Sequence, residues 1–527
     1  MRPVVLLTAF AFLAGCVGEI GELLDRPTSA SELVCGQRPE LHRLSGVQYR
    51  AVVDTLLAGS SAAATAEVPF AQARRADFFS TWSRQAGIGE YEIDEVWNAA
   101  DAVARAWASD PGNVCPAAER SACVGRVWAD ALRTLWSRPA TELELAEVSR
   151  GLEDAETELT AQEATTALMR GALMSPAFLF RGEGLQGKLT GDEIAAALAF
   201  TLLDRPPDDV LRAFGATQPD ADAIRAEVKR LLAAPSMVPA LRGFVRELFQ
   251  YGRAVETQKD LAAHPFHHAR ELVDDSERVI ERLLDDHATS GLLRALLTSD
   301  LVFVRASTAQ SWALATQAEE GTYLHEPSRV GLLTHPSWLV AMSHPEQNHL
   351  VRRGLFVRER LLCGSVPPIP GGVVPQIPDV PGRSLRERIA EHSSNPACST
   401  CHHLMDPLAS GFEAWDHLGR PRTVDNGAAV DMTGELLGAG DDKDGAYADA
   451  RDLMGRLADS EVVKACWVTQ LYRFVHGRDI RESDQCELDR LAALYDSSGE
   501  DTLAVIAEMF ASPEYLERTT ITSETNR

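Results

Sequence analysis

The sequence predicts a mainly α-helical, multi-domain protein, and three observations carry that prediction. Apolar residues recur at helical spacing through most of the chain, capping-box pairs mark repeated helix starts, and clear alternating strands or strand-pair turns are missing. The length of 527 residues suggests about three or four folded units. Hydrophobic residues make up 45% and charged ones 24%, an ordinary globular composition that excludes wholesale disorder.

Taken in order, Tyr49, Val52, Val53 and Leu56 recur at helical spacing, as do Ile93, Val96, Trp97, Ala100, Val103, Ala104 and Trp107. Val124, Val127, Trp128, Ala131 and Leu135 repeat the pattern after Cys123. Thr141 with Glu144, Thr190 with Glu193 and Ser384 with Glu387 have capping-box spacing, and Leu189 is placed to add a hydrophobic staple. Gly477 sits where a helix from about Ser460 to His476 needs a left-handed terminator. Short strands are expected only around Val424 to Leu437.

Composition sets the boundaries. A polar, small-residue stretch from Ser60 to Ala76 reads as a loop, and the Gly-rich Glu183 to Lys188 precedes a long helical middle from Leu189 to about Thr308. The sharpest break is Ser365 to Gly382, which holds six prolines and reads as an extended linker or surface strap. The expected units are a signal peptide at 1–15, an N-terminal helical region at 16–182, a helical domain at 189–315, a CxxCH module at 327–440 and a terminal helical domain at 446–520.

Lys and Arg number 51 against 77 Asp and Glu, a net charge of −26. That balance argues against nucleic acid, and against binding to anionic lipid through surface charge. Residues Met1 to Cys16 carry Arg2, an apolar run from Val4 to Leu13, and Leu13-Ala14-Gly15-Cys16. The run is too short to span a bilayer. It resembles the lipobox of bacterial lipoproteins, which implies lipidation of Cys16, export to the cell envelope and, with Val17 next, the outer membrane. A plain secretory peptide cleaved near Gly15 and a buried first helix are the alternatives.

Export makes disulfides permissible. Of nine cysteines, eight remain after Cys16. Cys115 with Cys123, and Cys466 with Cys486, are the expected staples; Cys35 and Cys363 are left over to pair with each other. Spacing alone does not determine connectivity.

The chemical motif is Cys398-Ser-Thr-Cys401-His402, the attachment pattern of c-type haem. Two thiols three residues apart reach the two vinyl groups of one porphyrin edge, and the adjacent histidine turns under the ring to ligate iron. The competing readings are a local Cys398–Cys401 disulfide and a structural zinc site that recruits His392 or Cys363. Downstream lie Met405, Asp406-Pro407-Leu408, Gly411-Phe412-Glu413 and Asp416-His-Leu-Gly419-Arg420-Pro-Arg422; upstream lie Arg329-Val-Gly331, Arg353-Gly354 and Leu362-Cys363. With His392, this set resembles the planctomycete cytochrome-c-like module, domain of unknown function 1588. Ala195 to Asp209 and onward to Phe303 resembles domain of unknown function 1592, and Cys466 to Arg478 resembles domain of unknown function 1585. Cys115 to Ala140 and Leu41 to Leu57 are more weakly similar to the two helical domains that precede these. Met405 and Ala409 depart from the Ile and Gly usual in the family. The resemblance implies an exported cytochrome-like protein with covalent haem c on Cys398 and Cys401 and iron on His402, and it names no substrate.

The sixth iron position separates electron transfer from catalysis. Met432, Met454, Met342, His335, His344, His349 and His392 are its candidates, and spacing does not rank them. Met405 is too close to His402 to reach the opposite ring face. Phe412 and Trp415, one turn apart in an expected helix, either wall a haem pocket or pack in the core. Asp406, Glu413 and Asp416 with Arg420 and Arg422 either meet propionates or pair with one another. His264, His267, His268 and Glu271 read as a solvated helix start rather than a metal site. The expected role is electron transfer with an unidentified redox partner, or the redox subunit of an envelope oxidoreductase. The alternative is a non-haem lipoprotein that binds or scaffolds envelope components.

Overall fold

A computed structural model describes residues 42–58, 79, 90–181, 187–315, 319–367, 377 and 380–518. The signal peptide at 1–15, the lipidation site Cys16, the leftover Cys35, the loop from Ser60 to Ala76 and most of the proline-rich segment lie outside these residues. The fold is mainly α, as the periodicity predicts. No described helix is long and apolar enough to cross a membrane.

Local sequence explains where helices begin and end. The capping boxes at Thr141/Glu144, Thr190/Glu193 and Ser384/Glu387 all form, each side chain satisfying the other's backbone N–H. Ser460 caps the helix Glu461–His476, and Gly477 ends it at φ 55°. In the helix Glu90–Ala108 the buried face is Val96, Ala99, Ala100, Val103, Ala104 and Trp107. Ile93 and Trp97 fall outside that face, and Trp97 instead carries the Arg170 guanidinium 4.3 Å above its ring.

Among the described residues, strands are limited to two-stranded antiparallel ladders. Val424–Asp425 pairs with Ala428–Ala429, and Gly434–Leu436 with Gly445–Tyr447, in and just beyond the region where short strands are expected. Leu301–Val304 with Thr322–His325 was not legible, because four residues are too few to display alternation. Glu517–Arg518 pairs with Gly187–Lys188, so the last described residues close on the start of the helical middle.

Two large apolar cores result, with two smaller clusters around Trp312 and around Leu350 and Ile389. One gathers Leu44 to Leu179 with Phe200. The other is continuous from Leu189 to Leu516 and takes in Phe244, Trp338, Phe412 and Trp467 from segments far apart in sequence. Phe244 meets both Trp467 and Phe474 edge-on, at 5.1 and 5.4 Å.

The disulfides correct one expectation. Cys115–Cys123 forms as expected, but Cys466 pairs with Cys363, 103 residues away, and not with Cys486. The proposed Cys35–Cys363 pair falls with it. The reason is helix length. Cys466 lies ten residues before the end of the helix Glu461–His476, while Cys486 opens the next helix, Gln485–Ser497. Ten helical residues rise about 15 Å, well beyond the roughly 7 Å limit on Cα separation in a disulfide. Cys363 sits instead at the end of the helical run through Leu361, packed across Cys466, with a Cα separation of 5.5 Å. Cys486 is also disulfide-bonded.

Candidate functional site

The CxxCH residues occupy the short helix Pro396–His402. Proline at its start pre-sets the backbone, and the Asn395 carbonyl accepts the N–H groups of Cys398 and Ser399, both at 2.9 Å. Ser394 and Asn395 alone separate this helix from the preceding one, Leu385–Ser393, which Ser384 and Glu387 cap and Asp425 holds through the Leu385 N–H. The result is a tight helical hairpin.

Helical spacing sorts its side chains. Cys398 and Cys401, three apart, share one face; both are half-buried free thiols. Ser399 and His402 share the adjacent face and, with His403 and Asp406 beyond the helix end, line a cavity of about 600 Å³. That volume falls within the range of small-molecule and cofactor sites. Leu350, Ile389, Ala390 and Pro407 supply its apolar wall. Arg386 at its rim donates to the carbonyls of Asp431 and Thr433 and pairs with the Asp431 carboxylate at 2.9 Å.

His402 is oriented by a carboxylate. Its Nδ1 lies 2.9 Å from Asp406 Oδ2 one turn on, so Nδ1–H donates and Nε2 is the nitrogen left to bind. Burial raises the Asp406 pKa, and His402 draws it back. Asp406 Oδ1 is buried without a hydrogen-bond partner. The neighbour His403 also lines the cavity, its Nδ1 donating to the Ser399 carbonyl at 2.8 Å.

A close backbone approach fixes the turn after His402. A Cβ on Gly354 would stand 1.9 Å from the Met405 carbonyl oxygen. Gly354→Ala is therefore expected to destabilise the protein by about 1–3 kcal/mol, the usual cost of overpacking. A urea midpoint equal to wild type would contradict this.

The remaining expected site residues separate into structural roles. Phe412 lies in a 3₁₀ turn, Ser410–Ala414, whereas Trp415 is already extended, so they do not share the expected helix. Both are buried in the core. Phe412 meets Trp338 at a tilt of 55°, and Trp415 lies under Arg329; neither lines the cavity. Asp416 pairs with Arg420 and Glu413 with Arg422. His335 is buried with Nδ1 near the Ser276 hydroxyl, and Met342 and Met454 are core residues. His344 and His349 stack on each other at 4.1 Å. His267 is buried rather than solvated, and neither ring nitrogen has a hydrogen-bond partner.

Two buried arginines that build the site went unread as such. Arg353 donates to the carbonyls of Phe412, Met342 and Leu339 and contacts Glu413 at 3.4 Å. Arg329 donates to the carbonyls of Thr334, Trp312 and Gly419. The signal was present only as two arginines inside the motif segments; the carbonyls of Phe412 and Gly419 that they bind lie 59 and 90 residues away.

Comparison with known proteins adds the family. Residues 189–314, 329–425 and 444–515 match, in that order, family models described as protein of unknown function DUF1592, DUF1588 and DUF1585. No curated protein and no solved structure matches the chain. With these three domains in succession and CxxCH within the second, the chain belongs to the planctomycete cytochrome-c-like family of unknown function.

Proposed function

We propose that this is an exported, lipid-anchored c-type cytochrome-like protein that transfers electrons, alone or as the redox subunit of an envelope oxidoreductase. One observation carries the reading. Every other described cysteine is disulfide-bonded, yet Cys398 and Cys401 remain free thiols on the helix that presents His402 to a cavity. A chain that oxidises its structural cysteines has reason to spare two only for another bond.

The donor set suits haem c. Cys398 and Cys401 would hold the porphyrin edge as thioethers, and His402 Nε2 would hold iron. When bound, haem supplies a one-electron redox couple tuned by its axial ligands and their hydrogen bonds. Asp406 keeps the His402 proton on Nδ1 and fixes the ring's orientation, and its carboxylate raises the basicity of the opposite nitrogen. The zinc alternative has less support, because no three His, Cys, Asp or Glu side chains converge into a metal-binding group among the described residues. The disulfide alternative is disfavoured by the free thiols.

The test is a haem assay on the full chain produced with a cytochrome c maturation system. A covalent in-gel peroxidase stain and a pyridine haemochrome spectrum are expected, the covalent signal falling to background when Cys398→Ala and Cys401→Ala are combined. A folded, lipidated, colourless protein would sink the proposal.

A further inference from the structure

The attachment helix leaves one question open: what stands on the other side of an iron held by His402. Among the candidates, the structure brings one imidazole to the His402 ring. His392, in the last turn of the helix Leu385–Ser393, has its ring centre 5.3 Å from that of His402, with the planes at 75°. We propose that His392 is the second axial ligand of the haem, an inference that rests on the haem reading above.

Distance supports it. Metal–imidazole bonds are about 2 Å long, so two rings on opposite faces of one iron have centres on the order of 6 Å apart. The observed separation is within an ångström of that. His392 lies in the last turn before the hairpin's two-residue connection and His402 ends the second helix, so a rotamer change at His392 adjusts the gap without moving either helix. His402 leaves only Nε2 for iron, because Asp406 holds Nδ1.

The rivals are occupied elsewhere. His335 is 2% exposed and contacts Ser276. Met342 and Met454 are 1% and 0% exposed within the main core, and freeing either would open a cavity there. His349 accepts the Arg352 N–H through Nδ1 while its ring stacks on His344. Met432 is exposed, next to Thr433 at the cavity, and is the competitor the experiment must separate. Two neutral imidazoles make the iron six-coordinate and closed, which suits electron transfer rather than binding of a small substrate.

The test reads coordination directly. The haem-loaded full chain, oxidised at neutral pH, should be low-spin, with the electron paramagnetic resonance and near-infrared charge-transfer signature of two imidazoles. His392→Ala should convert most of the iron to high spin, and added free imidazole should restore the low-spin signal. His392→Met should replace the bis-imidazole signature with that of histidine and thioether. A wild type that is high-spin or carries a thioether signature, as Met432 would give, overturns the proposal; so does His392→Ala with an unchanged spectrum. If the alanine variant does not accumulate, the wild-type signature and the methionine variant decide. Absence of covalent haem in wild type overturns the haem reading itself and this proposal with it.

Discussion

Arg353→Leu is expected to be among the most damaging single substitutions in the chain. The guanidinium is fully buried and donates to three carbonyls, to Asn348 and toward Glu413. Burial lowers its pKa to about 10, so it stays protonated at neutral pH. Removing it strands the carbonyls of Leu339, Met342 and Phe412 and takes one of two cations from Glu413, which is itself buried. Breaking a buried pair of this kind costs about 3–5 kcal/mol. Because the Phe412 carbonyl lies just beyond the CxxCH helix, the loss should also loosen the site. Denaturant unfolding of the full chain checks it, with Arg353→Lys expected to fall between, since an ammonium keeps the charge but cannot span the same acceptors. A leucine variant within about 1 kcal/mol of wild type would show that the carbonyls find other donors.

The second large effect is acid sensitivity. Burial pushes the pKa of His335 and His349 down to about 3, and that of His267 and His417 down to about 4. Positive neighbours add to it: Arg329 beside His335, His344 beside His349, and Lys259 beside both His267 and His417. The ordinary value is near 6.5, so between there and the folded-state values the unfolded chain binds more protons than the native one. The stabilisation is therefore complete above about pH 6.5 and declines as pH falls toward 4 and then 3. His335, the most deeply buried, contributes on the order of 5 kcal/mol at about 1.4 kcal/mol per pKa unit. Buried Asp275 and Glu487 and half-buried Asp204 and Asp406 have raised values and act in the opposite direction, their protonation favouring the native state as pH falls. The expected result is a melting temperature that drops from pH 7 to pH 5, with net proton uptake on unfolding. Calorimetry in buffers of different ionisation enthalpy measures both. A flat profile over that range would mean that the four rings are solvated.

Both predictions turn on groups whose importance the linear sequence conceals. Arg329 and Arg353 look like two of many arginines, and His335 like a candidate ligand. Each takes its character from burial, which depends on segments hundreds of residues apart packing into one core. The cysteines make the same point. Cys115 and Cys123 were pairable from spacing because a short turn leaves them little choice, whereas Cys466 had two partners at plausible distances along the chain and only the direction of its helix excluded Cys486.

What the sequence determined by itself is local. Capping boxes, the left-handed Gly477, the helical content and the placement of Cys398, Cys401 and His402 on one helical run depend on residues within a few positions of each other, where backbone hydrogen bonding and side-chain period decide the outcome. The tertiary structure decided everything that requires two distant segments to meet: the partner of Cys466, the approach of the Gly354 helix to the Met405 carbonyl, the burial of Arg353, and the contact between His392 and His402. Even that last pair, ten residues apart, depends on a hairpin turn, because two helices joined by a sharp reversal bring together side chains that neither helix's own period relates.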